Sequence, residues 1–136
     1  MTIISIHTTK RAEFIDITSR VEKIVNDAKV KEGLCVIFCP HTTAALTINE
    51  NADPAVTKDI LNHLETLVPE GKNYSHSEGN ADSHIKSSLL GSSLDVIIEN
   101  SSLMLGTWQG IYFCEFDGPR SREAWVKIIK TQEEKS

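Results

Sequence analysis

The sequence predicts an α+β fold: a sandwich of mixed or antiparallel sheets carrying two main helices and one short helix. Three observations predict it. Roughly eight short runs are rich in β-branched and aromatic residues or alternate apolar with polar. Two longer stretches in the first half space their apolar residues at helical period. The second half is mostly strand-like runs separated by turn residues. No internal repeat or linker interrupts the chain, so residues 1–136 read as one domain.

Taken in order, residues 2–9 alternate Ile4 and Ile6 against Ser5 and His7, as a strand does. Residues 13–17 form a second short strand, and the polar Lys10-Arg11 between them suggests a hairpin. Residues 18–31 read as a helix with Val21, Ile24, Val25 and Ala28 on one face. Ser19 and Glu22 fit a capping box, and Gly33 stops the helix. Residues 34–39 are continuously apolar and read as a strand buried on both faces or central in its sheet. Pro40 ends it, and residues 44–48 resume strand character. Asp53-Pro54 starts a helix whose stripe is Val56, Ile60, Leu61, Leu64, Leu67 and Val68. Asn80 or Asp82 caps a short helix ending at Gly91. Residues 94–99, two segments within 103–116, and 123–130 are the remaining strands. Asn100-Ser101-Ser102 is a turn, and Asp117-Gly118 signals a hairpin. The tail QEEKS reads as solvated.

Composition bounds the function. Net charge is −5, which disfavours nucleic acid and anionic membrane as partners of the whole surface. The longest apolar run is too short to span a bilayer. The first ten residues lack the basic start and apolar centre of a signal peptide, and the three cysteines lie in or beside apolar runs. These features point to the cytoplasm.

The chemistry concentrates in three polar segments. Residues 74–85, YSHSEGNADSHI, hold His76 and His84 with Glu78, Gly79 and Asp82 between them. With His41 they are the candidate ligands of a divalent metal, zinc first, because three imidazoles with an open position make a catalytic-type zinc site. Glu78 and Asp82 are candidates to orient an imidazole, and Cys39 is a lesser candidate ligand. The alternative is that the histidines are separate loop and cap residues. Glu50, at a strand end, is the candidate general base. Thr42, Thr43 and Asn49 offer polar groups to a substrate, or satisfy local backbone. Arg120 and Arg122 follow a tight turn and suit a phosphate or carboxylate, with Lys86 as a further cation, or else they pair with nearby acids. Arg120 is taken as the catalytic anion holder and Arg122 as substrate-binding. Trp108 and Gln109 lie between glycines and suit a pocket wall, or a packed sheet position.

Three blocks, CPHTTAALTINENADPAV, HSEGNADSHIKSSLLGSS and LGTWQGIYFCEFDGPRSR, resemble the YjbQ family, also called UPF0047 or the secondary thiamine-phosphate synthase family. The resemblance covers residues 6–130. It implies a compact α+β sandwich assembled as a homotrimer, with the histidine blocks facing a shared, often metal-bound pocket at His41, His76 and His84. It also implies a weak thiamine-phosphate synthase activity, which joins a pyrimidine methyl diphosphate to a thiazole phosphate and releases diphosphate. Magnesium on carboxylates suits diphosphate departure better than zinc on histidines. The alternatives to such an enzyme are a metal-dependent hydrolase, a metabolite- or metal-binding module without chemistry, and a structural metal fastening the long loop.

Overall fold

The computed structural model describes residues 1–71 and 74–131. The expected solvated tail, residues 132–136, lies outside them. The strands are β1 (Thr2–His7), β2 (Glu13–Asp16), β3 (Gly33–Phe38), β4 (Ala44–Glu50), β5 (Ser93–Glu99), β6 (Ser102–Leu103), β7 (Gln109–Glu115) and β8 (Ser121–Lys130). The helices are α1 (Thr18–Ala28), α2 (Pro54–Leu67) and α3 (Ala81–Leu90). One sheet has the order β1-β8-β3-β5-β6 and the other β2-β7-β4. Every described pairing is antiparallel, so the mixed-sheet alternative falls away.

The inner faces follow from alternation. Ile4, Ile6, Cys35, Ile37, Val96, Ile98, Ala124 and Val126 of the larger sheet meet Leu46, Ile111 and Phe113 of the smaller. Val21 and Val25 of α1 close one end of this core. The outer face of the smaller sheet is covered as well: Tyr112, Cys114 and Phe116 pack with Phe14, and with Leu61 and Leu64 of α2 and Leu90 of α3. Among the described residues, the outer face of the larger sheet has no such cover. There Ile3 pairs across to Trp125 and Trp125 to Phe38, while Ile129 pairs to Leu34 and Leu34 to Ile97. Phe38, Ile3, Ile129 and Ile97 are exposed. β3 is central in the larger sheet, between β8 and β5, as its run of apolar residues allows, but it is buried on one face only.

Both expected hairpins prove to be crossings between sheets. β1 belongs to the larger sheet and β2 to the smaller; β7 belongs to the smaller and β8 to the larger. Turn residues at 10–11 and 117–118 mark reversals of path, but nothing in a turn signal says which sheet the chain enters next. The link from β3 to β4 makes the same crossing. These three crossings meet at one corner. The Gly118 N–H donates to the Arg11 carbonyl (3.0 Å), Thr8 N–H to the Arg120 carbonyl (3.0 Å) and Phe116 N–H to the Thr43 carbonyl (3.2 Å). A Cβ on Gly118 would lie 2.3 Å from the Lys10 carbonyl oxygen, so only glycine permits this approach.

A buried ion pair holds the corner. Arg122 Nε donates to Glu115 Oε1 (2.9 Å), and both residues are almost wholly buried. Arg122 Nη2 also donates to Thr43 Oγ1 (2.8 Å), and the Thr8 hydroxyl donates to Glu115 Oε1 (2.8 Å). The second carboxylate oxygen accepts the N–H groups of Phe116 (3.1 Å) and Asp117 (3.0 Å).

α1 starts without the expected capping box. Its N-cap is Ile17, and Asp16 instead accepts the N–H of Thr18 (2.9 Å). α2 starts as expected, with Asp53 accepting the Ala55 N–H (2.9 Å) and Pro54 in the first turn. α3 is tied down by polar contacts. Asp82 takes both nitrogens of the Arg11 fork (3.2 and 3.0 Å) and the Lys86 ammonium (2.9 Å). Lys86 also reaches Glu65 of α2 (2.7 Å). Ser83 donates to the Phe116 carbonyl.

Glu115 and Asp82 both sit below their ordinary pKa. In each case burial alone raises it and is outweighed by charge-assisted hydrogen bonds from cations, joined at Glu115 by backbone N–H groups. A depressed folded pKa contributes stability above the ordinary carboxylate range, and the contribution is lost as pH falls through the folded value. Urea unfolding followed against pH is expected to give a midpoint that holds steady from neutrality and drops below pH ~4. Glu115→Gln leaves Arg122 buried without its anion. It is expected to cost about 3–5 kcal/mol at neutral pH and to make the acid-side drop shallower.

Candidate functional site

A cleft of about 390 Å³ opens at the corner where the three crossings meet α3. Its wall includes His41, Thr42, Glu78, His84, Asp117 and Arg120. A second space of about 460 Å³ shares His41, Thr42 and His84 and continues along α3 past Ser87 and Ser88 to Ser92. Each volume suits a small molecule.

His41 stands on the β3–β4 crossing. The Glu123 N–H donates to its Nε2 (3.0 Å), which assigns the remaining proton of the neutral ring to Nδ1. Burial, and then the neighbouring Arg122 charge, lower its pKa below the ordinary value, so the ring is neutral at pH 7. His84 lies three residues into α3 and is half-buried. Its ring centroid is 5.1 Å from that of His76, edge to face. His76 Nε2 is 4.0 Å from Glu78 Oε2.

These placements bear on the three-histidine metal site. His76 and His84 are neighbours, and His84 shares a wall with His41. His41, however, has its Nε2 lone pair engaged by the Glu123 amide and its Nδ1 protonated, so neither nitrogen is available to a cation in this rotamer. No group of three His, Cys, Asp or Glu side chains among the described residues is arranged to hold a metal ion. Asp82 orients no imidazole, because Arg11 and Lys86 engage it. The Cys39 thiol is buried, and burial raises its pKa, so it is protonated and a poor ligand. As placed, the residues do not form a metal cage.

The anion candidates divide. Arg120 is half-exposed at the cleft, braced by Asp117 through Nη2–Oδ2 (2.9 Å) and through Nε to the Asp117 carbonyl (2.8 Å). Arg122 is 5% exposed and spends Nε and Nη2 on Glu115 and Thr43, so it is a pillar of the corner. Thr43 is committed to it, while Thr42 is exposed on the cleft wall. Lys86 is 1% exposed between Asp82 and Glu65 and is not part of an anion site.

Glu50, Asn49, Trp108 and Gln109 are not brought to this cleft. β4 pairs with β7 so that Ala44 faces Glu115 at the cleft end and Glu50 faces Gln109 at the other. The two ends are separated by about 20 Å of strand. At the far end Gln109 Oε1 accepts the Gly106 N–H (2.7 Å) and Asn49 Oδ1 accepts the Glu50 N–H (2.7 Å). Trp108 is 62% exposed.

Asn80, Ser87 and Asp117 are among the cleft residues that the sequence did not mark as ligand contacts. Asn80 takes the N-cap position of α3, but its side chain makes no capping bond and donates Nδ2 to Asp117 Oδ2 (2.8 Å). Ser87 had one available signal, its position three residues after His84 on the same helix face.

A two-sheet antiparallel α+β domain, with a polar cleft where its sheet crossings meet a helix, defines the class of protein. The chain belongs to the UPF0047 YjbQ-like family, whose model matches residues 2–131. The UPF0047 protein YugU of Bacillus subtilis is 53% identical over 127 residues, spanning 93% of this chain and 96% of its own. A UPF0047 protein of Methanocaldococcus jannaschii is 56% identical over 124 residues, spanning 91% and 90%. Among solved structures, an uncharacterised YjbQ/UPF0047 family protein from Clostridium acetobutylicum superposes with a TM-score of 0.93 at 56% identity, covering 95% of this chain and 100% of its own. A protein of unknown function from Sulfolobus solfataricus gives 0.92 at 33% identity, with 96% of each chain covered. No described helix is long and apolar enough to cross a membrane.

Nitrogen-15 NMR of the histidine rings is expected to show His41 as the Nδ1-protonated tautomer, with a titration midpoint below the ordinary ~6.5. A midpoint above that value would contradict the placement of His41 against the Glu123 amide and Arg122.

Proposed function

We propose that the cleft binds a small phosphorylated or otherwise anionic metabolite, with Arg120 holding the anion and His41 and His84 facing the rest of the molecule. The observation that carries this reading is convergence. Segments around residues 41, 80 and 120, far apart in sequence, line one cleft and bring two imidazoles beside a half-exposed guanidinium. Asp117 fixes the Arg120 fork from behind, which lowers the entropy lost when an anion is captured. Two imidazoles beside a bound anion suit proton transfer during group transfer or hydrolysis.

A transfer of the thiamine-phosphate synthase type falls within this reading, since both of its reactants are phosphorylated. Magnesium would then be the metal, carried by phosphate oxygens and carboxylates. Glu78 and Asp117 are the carboxylates on the cleft wall. A zinc-dependent reading has the His76–His84 pair in its favour and needs His41 to release the Glu123 amide. A binding module without chemistry uses the same cleft, and is the outcome if ligands bind with no turnover.

Self-association as a homotrimer belongs to the same proposal. Two cross-strand apolar rows, Ile3–Trp125–Phe38 and Ile129–Leu34–Ile97, stand uncovered on the larger sheet. Lys127, Val36 and Asp95 lie between them. A contiguous face of this kind is uncommon on a monomer and supports burial against another copy. Sedimentation equilibrium at micromolar concentration is expected to give a three-chain species, and Ile97→Lys to shift it toward monomer. A monomer throughout would overturn this part of the reading.

Calorimetric titration with inorganic phosphate and with pyrophosphate tests the anion site. Arg120→Ala is expected to weaken both by about tenfold, the size of one lost charge-assisted hydrogen bond. Trp108→Ala is expected to change neither. Unaltered affinity in Arg120→Ala would remove the basis of the proposal.

A further inference from the structure

The half of the cleft that runs along α3 differs chemically from the half at Arg120. Beyond the shared His41, Thr42 and His84, its described lining includes the hydroxyls of Ser87, Ser88 and Ser92 and no Asp, Glu, Lys or Arg. Among the described residues its one purely hydrocarbon side chain is Ala44, and no Phe, Tyr or Trp lines it.

Two buried polar atoms of cleft-lining residues have no hydrogen-bond partner among the described residues: Ser87 Oγ and Asn80 Oδ1. Ser87 is 8% exposed. A buried hydroxyl without a partner is costly, and a serine inside a helix ordinarily bonds back to the carbonyl four residues earlier. Ser88 does so, donating to the His84 carbonyl (2.9 Å). Ser87 does not, and it lines the uncharged half of the cleft. Asn80 lies in the charged half. Because its Nδ2 donates to Asp117, the amide cannot flip without setting oxygen against carboxylate. Asn80 Oδ1 therefore presents a fixed acceptor.

The two orphan atoms thus sit in different halves of one cleft, joined through His41, Thr42 and His84. We infer that the α3 half is a subsite for the uncharged, hydroxyl-bearing body of a phosphate monoester, with Ser87 Oγ as its buried hydrogen-bond partner. The inference rests on the proposed anion site at Arg120 and specifies what the rest of the ligand is. The hydroxyls of Thr42, Ser88 and Ser92 on this wall offer a polyol donors and acceptors that a flat apolar ring could not use. A site built to bond a hydroxyl also discriminates strongly against an analogue that lacks it.

Three probes separate the terms in calorimetric titration: inorganic phosphate, glycerol 3-phosphate, and propyl phosphate, which has the same chain without hydroxyls. The wild-type protein is expected to prefer glycerol 3-phosphate to propyl phosphate by about tenfold. Ser87→Ala is expected to erase that preference while leaving inorganic phosphate affinity and thermal stability intact. If Ser87 served only the fold, Ser87→Ala would lower the melting temperature and weaken all three probes alike, which overturns the assignment. Equal binding of the two esters by the wild type overturns it without any variant. Phosphate binding with no hydroxyl preference sinks this subsite alone. Failure of all three probes to bind sinks the anion reading together with it.

Discussion

The contact on which this molecule turns is the buried pair of Glu115 and Arg122. Two charges removed from water repay their desolvation only when the remaining donors and acceptors are met. Here Thr8, Thr43 and two backbone N–H groups meet them. Those partners come from all three of the crossings that meet at this corner. Thr8 follows β1, Thr43 precedes β4, and Phe116 and Asp117 leave β7. Hydrophobic residues in place of both charges would pack at this corner but join nothing. The pair sets which crossing lies against which, a matter of specificity more than of net stability.

That corner also builds the cleft. Arg122 and Glu123 are successive residues of β8 and engage the same crossing through different groups. Arg122 binds Thr43 with its side chain, while Glu123 offers its backbone N–H to His41. His41 is thereby held on one side by a ring hydrogen bond and on the other by the anchored threonine. On the opposite wall, Asp82 between Arg11 and Lys86 holds α3, and with it His84 and Ser87, against the same corner. Charge that reads in the sequence as ligand-binding, at Arg122 and Lys86, is spent on making the walls rigid. Among the described cleft residues, Arg120 keeps a guanidinium that solvent reaches.

Much of the fold was legible, and the errors have physical causes. The strands and helices declare themselves because period two and period 3.6 are imposed by backbone geometry, which every residue obeys. Strand partners do not declare themselves. Lys10-Arg11 and Asp117-Gly118 are sound turn signals, yet each leads into the other sheet, because sheet choice is settled by residues distant in sequence such as Thr8 with Arg120. For the candidate site, His41, Thr42, His84 and Arg120 were legible as polar residues in segments unable to build a core, and they do share a cleft. Arg122, Thr43 and Lys86 were not separable from them, since burial of a charge depends on a partner that the local sequence does not reveal. Ser87 was invisible for the opposite reason: a helix serine is ordinary until its hydroxyl is found buried and alone.

The far end of β4 and β7 shows why residue type alone overstates a site. Asn49, Glu50, Trp108 and Gln109 have the chemistry of substrate contacts, and they lie together. Yet Asn49 Oδ1, Gln109 Oε1 and the Trp108 carbonyl are engaged by the chain itself. Gln109 closes the turn from Gly106 through its Oε1, and the Trp108 carbonyl accepts the Asn51 N–H (3.0 Å). Asn51 reaches across to Asp16 (3.2 Å), and a Cβ on Gly110 would collide with its side chain. Gly110 is thus explained by the approach of Asn51, and Gln109 by a backbone donor that would otherwise be unmet. Amides at strand ends serve this purpose because they supply donor and acceptor together without charge. A small ligand in the Arg120 cleft cannot span the ~20 Å of strand to these residues in the same chain. Within one chain, then, the shape of this end is accounted for by turn closure, and the cleft lies at the other end, built on Glu115 and Arg122.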